Sequence, residues 1–159
     1  MNDLAEIEQI RQLKYRYFRA LDTNDWQTFG DCLAEDCTAR YGDGEYSFDS
    51  RKAIVDFMSG NMSAETFLSM HNGHHPEISV ASDGQSASGT WYLQDTILDL
   101  SNNVRLYGTG LYNDEYVKAD GKWQISYTGY ARIFECVEPL GEHHKVLKNV
   151  FVKDAGTAD

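Results

Sequence analysis

Four long stretches in the second half of the chain, residues 69–82, 86–99, 104–117 and 122–135, are separated by only three short turn signals. These are Asp83-Gly84, Ser101-Asn102-Asn103 and Asp120-Gly121. Asp-Gly and Asn-rich pairs tolerate the left-handed backbone of tight hairpins. Segments joined so briefly must run antiparallel, because a parallel connection needs a crossover of a dozen or more residues. The first half of the chain reads differently. Leu4, Ile7, Ile10, Leu13, Tyr17, Phe18 and Leu21 recur at three- and four-residue steps and predict a helix over 3–22. Asp3 and Glu6 have the spacing of a capping box at its start. After Thr23-Asn24-Asp25, the residues Trp26, Phe29 and Leu33 mark a short second helix. Residues 37–41 and 46–48 read as short strands joined at Gly42-Asp43-Gly44. Ser50 is placed to cap a third helix through Met58, with Ile54, Phe57 and Met58 on its apolar side. Helices first and a meander after, without βαβ alternation or internal repeat, is an α+β pattern.

With 42% hydrophobic and 25% charged residues, the 159-residue chain has an ordinary globular balance and the length of one domain. We place that domain at 1–136. Residues 137–159 form a tail whose Val146, Leu147, Val150, Phe151 and Val152 are suited to cover a pocket or dock on a neighbour, with 154–159 fraying. Fourteen basic side chains face 25 acidic ones, a formal charge of −11. Nucleic acid and anionic membrane surfaces are therefore poor partners. The acidic N-terminus is no secretory signal, and no apolar run reaches the ~18 residues of a membrane span. Cys32, Cys37 and Cys136 lack framework spacing and read as reduced, structural thiols of a cytoplasmic protein.

Candidate chemistry is sparse. His71, His74 and His75 are close in sequence but lack a nearby carboxylate or cysteine, so a polar strand entrance outweighs a metal site. Gly108-Thr109-Gly110 is half of a dinucleotide fingerprint, with a strand where the helix should follow. Asp22 closes the first helix, where a carboxylate opposes the helix dipole. Tyr17 lies five residues earlier, roughly 140° round the helix, so periodicity does not bring the two together. Arg132 sits in Tyr130-Ala131-Arg132-Ile133-Phe134 and needs a partner if buried.

Five colinear stretches then carry a resemblance: residues 13–22 (LKYRYFRALD), 69–74 (SMHNGH), 76–78 (PEI), 89–95 (GTWYLQD) and 128–135 (TGYARIFE). In these the chain resembles the SnoaL-like group, and within it the bacterial bile acid 7α-dehydratases. The resemblance implies a cone-shaped α+β barrel, with N-terminal helices packed in a curved, mixed, mostly antiparallel sheet. It implies a catalytic His71 with Asp22 as its partner, a catalytic Tyr17, and an Arg at Arg132. Tyr41, Trp91 and Tyr130 fall at substrate-contacting positions. Two departures separate the chain from the dehydrochlorinase branch, which has Lys at the position of Tyr17 and Arg at that of Thr128.

The implied chemistry is cofactor-independent and metal-free elimination of water from a hydroxylated steroid or similar polycyclic enone. His71 takes an acidified C–H proton, and imidazole, with an ordinary pKa near 6.5, is a usable base at neutral pH. Asp22 orients it, Tyr17 and Tyr41 donate hydrogen bonds, and Arg132 holds Asp22 or a substrate oxygen. The implied partner is a small hydrophobic polycycle, with a coenzyme A thioester compatible but not demanded, and the implied assembly is a homotrimer. An isomerase or cyclase on the same scaffold, or a non-catalytic binding domain, are the alternatives; the binding domain predicts that His71 and Asp22 do not meet.

Overall fold

The computed structural model describes residues 3–152. Helix α1 spans Asp3–Asp22, α2 Trp26–Asp31 and α3 Arg51–Met62. Strands β1 (Leu33–Tyr41), β2 (Tyr46–Phe48), β3 (Phe67–Val80), β4 (Ser86–Asp99), β5 (Val104–Ala119) and β6 (Lys122–Pro139) form one sheet in the order β2-β1-β6-β5-β4-β3. The fold class is α+β, as expected. The sheet is mixed through the parallel β1–β6 pair, and it is not closed: β2 and β3 are its edges. The meander stands where the turn signals put it. Asp120 and Gly121 both take positive φ, as a type I′ hairpin turn requires.

Several boundaries differ from the sequence reading. Leu33 is not helical; it begins β1, fully buried opposite Ile125 of β6. Strand β6 runs through Pro139 and pairs Cys136 with Tyr107, so the ordered sheet extends past residue 136. Helix α3 does start at the Ser50 cap, whose hydroxyl accepts from the Ala53 amide, but it continues a turn beyond Met58. The turn at Gly42–Gly44 is a 3-10 helix in which Asp43 takes the left-handed conformation (φ 57°). The expected fraying of 154–159 falls outside the described residues. In the tail, Leu147 and Val150 are exposed, and Asn149 donates to the Glu65 carbonyl.

Helix α1 lies on one face of the sheet, against β3 and β6. Ile10, Leu13, Tyr17, Phe18 and Leu21 are buried there as expected, whereas Leu4 is exposed. Glu6 turns toward the sheet. Its carboxylate accepts from Lys118 Nζ (2.8 Å) and Trp123 Nε1 (2.6 Å), tying the helix to the β5–β6 hairpin. The side chain of Asp3, and with it the expected capping box, lies outside what the structure describes.

One charged pair sits inside this core. Lys14 is completely buried, its Nζ 2.7 Å from Asp114 Oδ2. Burial pushes the Lys14 ammonium below its usual range, with Asp114 pulling the other way. Asp114 also accepts from Thr128 Oγ1 (2.7 Å) and Tyr116 Oη (2.9 Å), and Tyr116 in turn accepts from Trp91 Nε1 (2.9 Å). Two neutral donors and one ammonium thus compensate the carboxylate, as a buried charge requires.

Burial raises the Cys32 thiol to about 11 and Cys37 to about 12. The unfolded chain loses these protons first, near the ordinary thiol value of about 9. The folded state then holds more protons than the unfolded one, so stability falls as pH rises from about 9 towards 12. In the native protein a disulfide reagent at pH 8 is expected to titrate Cys136, the half-buried thiol, while Cys32 and Cys37 react only on denaturation. Rapid reaction of all three in the folded protein would contradict this placement.

Candidate functional site

Asp22 and His71 meet. Helix α1 ends at Asp22 over the start of β3, and Asp22 Oδ1 lies 2.7 Å from His71 Nδ1. The same oxygen accepts from Ser69 Oγ (2.8 Å), and Oδ2 accepts from the His71 amide (2.8 Å). These bonds offset the unfavourable position of a carboxylate at a helix C-terminus. They also fix the imidazole. A carboxylate can only accept, so neutral His71 carries its proton on Nδ1 and presents Nε2 as the basic nitrogen. No described residue is hydrogen-bonded to Nε2. The side chains keep 11% and 19% exposure, so the pair is sheltered but reachable.

Phe18 backs the imidazole, stacked nearly parallel at 6.4 Å between ring centroids. It fits because residue 73 is glycine: a Cβ there would lie 2.5 Å from Phe18 Cε2 and 3.3 Å from Trp91 Cε3. Gly73→Ala is therefore expected to cost about 1–3 kcal/mol by overpacking, read as a lower urea midpoint. Gly60→Ala on α3, where a Cβ meets nothing within 4 Å, is expected to stabilise by about 0.4–1 kcal/mol. Equal midpoints for the two variants would remove the packing argument.

The tyrosines form a second cluster. Tyr17 Oη and Tyr41 Oη are 3.1 Å apart, and both side chains are buried. Tyr130 packs on Tyr41 (5.9 Å) and Tyr112 (5.2 Å). Burial pushes all four phenols up, so at neutral pH they are protonated hydrogen-bond donors rather than phenolates.

Arg132 does not hold Asp22. Its Nη1 and Nη2 donate to Asp95 at 2.6 and 2.8 Å, and its Nε faces Glu135 at 2.9 Å. The sheet register explains the choice. Asp95 is the cross-strand partner of His71, with β5 between it and Arg132. Residue 108 of β5 is glycine, and a Cβ there would lie 3.3 Å from Arg132 Nη1 and 2.6 Å from the Phe134 carbonyl. The glycine pair that imitates a nucleotide fingerprint thus belongs to the packing of β5 against β6, and Gly108 clears the arginine's path. Burial opposes the guanidinium charge, but Asp95 outweighs it and raises the pKa.

The remaining expected residues divide. Tyr41 and Tyr130 stand in the tyrosine cluster. Trp91 is fully buried with its N–H given to Tyr116, which ties it into the core network. Thr128 belongs to the same network. The three histidines diverge: His74 and His75 line a groove of about 450 Å³ on the outer sheet face with Tyr92, Arg105 and Tyr107. His75 there takes a left-handed φ of 49° at the β3 bulge. Sequence reasoning missed Ser69, Phe18 and Asp95 as neighbours of the candidate site. For Asp95 a signal existed, since it follows Trp91 and Leu93 at two-residue steps and so falls in phase with an inward strand face.

The SnoaL-like domain profile matches residues 2–129. A candidate scytalone dehydratase from Novosphingobium aromaticivorans superposes with a TM-score of 0.75 at 19% identity, over 84% of this chain and 88% of that one. Hexachlorocyclohexane dehydrochlorinase LinA-type3 from Novosphingobium barchaimii gives 0.76 at 17% identity, over 90% and 95%. ActVI-ORFA from Streptomyces coelicolor gives 0.68 at 19% identity, over 81% and 98%. At these identities the likeness is one of fold.

Proposed function

This chain belongs to the SnoaL-like domain family, and we propose that within it the protein is a cofactor-independent hydro-lyase. Its substrate class is a hydroxylated steroid or similar polycyclic enone, as in the bile acid 7α-dehydratases that its motifs resemble. The observation that carries the reading is the His71–Asp22 contact through Nδ1, with Nε2 hydrogen-bonded to no described residue. A dyad of this form is a general base whose imidazolium is stabilised as it forms.

In the proposed step His71 Nε2 removes a C–H proton acidified through the conjugated carbonyl. The electron pair moves into the π-system, the C–O bond to the leaving hydroxyl breaks, and water departs with a proton from an acid of the site. Proton and hydroxide leave the substrate together, so the reaction is redox-neutral. Tyr17 and Tyr41 are kept protonated by burial and share one hydrogen bond, which leaves one of their two O–H groups to donate to the carbonyl or the departing oxygen. Arg132 is committed to Asp95, so its part is to order that wall of the site rather than to grip Asp22. Phe48 and Tyr130, both packed on Tyr41, offer apolar surface suited to a rigid hydrocarbon skeleton. The homotrimer that the resemblance implies would cover exposed Met70, Tyr92 and Phe134 on the sheet.

The test is water loss from a panel of hydroxylated 3-oxo-4-ene steroids, free and as thioesters, followed through the lengthened conjugated chromophore. Product from the wild type and little from His71→Ala is the expected result. A shifted double bond without loss of water would move the reading to an isomerase. No change in any member would remove the steroid assignment.

A further inference from the structure

The Lys14–Asp114 pair is an expensive way to fill a core. Each buried charge carries a desolvation penalty, and well-packed apolar residues of the same volume often serve stability as well or better. Its position gives it another use. Lys14 Nζ lies 3.8 Å from the centroid of Tyr112, 4.5 Å from Tyr17 and 5.0 Å from Phe18. One buried ammonium therefore faces three aromatic rings, and each leads to the candidate site. Tyr17 reaches Tyr41 through its hydroxyl, Phe18 stacks on His71, and Tyr112 packs on Tyr130. Asp114 anchors the ammonium from β5, and Thr128 of β6 and Tyr116 of β5 anchor Asp114.

We propose that Lys14 is a positioning residue: its ammonium, fixed by Asp114, holds the aromatic layer of Tyr17, Phe18 and Tyr112 in register with the His71–Asp22 dyad and the Tyr41 hydroxyl. An apolar side chain would fill the volume but leave the rings free to settle by packing alone. A cation over a ring face attracts it electrostatically, most strongly where water is excluded. Lys14 thus fixes three rings at one point. Misplacing a reacting group by about 1 Å can cost roughly 10²-fold in rate.

The ring readout stands on geometry alone, and only the kinetic readout rests on the hydro-lyase reading. The variant is Lys14→Met with Asp114→Asn, which removes both charges and keeps an acceptor for Thr128. If it does not fold, Lys14→Gln keeps a donor for Asp114 and removes the cation. The control is Glu6→Gln with Lys118→Met, the ion pair that joins another part of the same helix to β5. Fluorine spectra of 3-fluorotyrosine-labelled protein, assigned with Tyr17→Phe and Tyr112→Phe, report whether the rings are held. The expected result is separate slow-flipping signals for Tyr17 and Tyr112 in wild type and control, and averaged signals in the Lys14 variant. With a steroid that turns over, kcat is expected to fall about 10- to 100-fold with KM within about twofold, and the control to keep its rate. Unchanged ring signals in the Lys14 variant overturn the proposal, as does an unchanged kcat beside averaged signals. If the wild type turns over no steroid, the steroid assignment fails. The ring signals then decide the positioning proposal, together with the His71 tautomer read from ring nitrogen shifts: a shifted tautomer balance with averaged rings supports it, and wild-type spectra reject it.

Discussion

His71→Ala is expected to lower kcat for the elimination by about 10²–10⁴-fold, the usual worth of a positioned general base, with the fold retained by circular dichroism. Asp22→Asn is expected to come close to the same loss, for a reason visible in the hydrogen bonds. The carboxylate accepts three at once, from Ser69 Oγ, the His71 amide and His71 Nδ1. An asparagine has one acceptor oxygen and brings two donors of its own, so at least one of these three would face an N–H instead. If the displaced partner is Nδ1, the imidazole turns to the other tautomer and Nε2 loses its lone pair. Because the two side chains act as a unit, the double variant should be little worse than His71→Ala alone. Single and double variants assayed on one steroid decide it: losses that multiply would mean that His71 and Asp22 act independently. Near-full activity in His71→Ala would remove the base altogether.

Much of the fold was legible because hairpin turns and strand alternation are local. Asp120-Gly121 can be read as a turn without knowing what it joins. The pairing of Asp22 with His71 was not legible from periodicity, since 49 residues separate them and only the packing of α1 on β3 closes the distance. The resemblance supplied that pair. It supplied Arg132 too, but not the guanidinium's partner, because Asp95 depends on register across β5 and on the missing side chain of Gly108. Lys14 shows what a stricter reading of the pattern yields. It stands four residues after Ile10, three before Tyr17 and seven before Leu21, on the apolar stripe of α1. Asp114 alternates with Tyr112 and Tyr116 on the inward face of β5. Two opposite charges, each in phase with a buried face, are a sequence-level sign of a buried pair. The eye passes over lysine and aspartate because most of them are exposed.

That pair carries the largest expected effect on stability. Lys14→Met alone leaves Asp114 buried with Thr128 and Tyr116 as donors but without its cation, and breaking a buried pair from one side costs about 3–5 kcal/mol. For a chain of this length each kcal/mol moves Tm by about 2–4 °C, so a fall of roughly 6–20 °C is expected. Adding Asp114→Asn removes the stranded charge while its side-chain oxygen still accepts from Thr128, and most of the loss should return. The cycle of two single variants and the double, measured by thermal or urea unfolding, separates two meanings of the pair. A large single loss with recovery in the double means that the fold tolerates the charges together and needs neither for stability. The aromatic layer above Lys14 is then the remaining reason for a lysine there. Single and double variants equally destabilised would instead make the ammonium itself a pillar of the core. Lys14→Met as stable as wild type would mean that Asp114 takes up a proton when its partner leaves. In that case the loss should appear on raising the pH, as the unfolded carboxyl gives up a proton that the folded one retains.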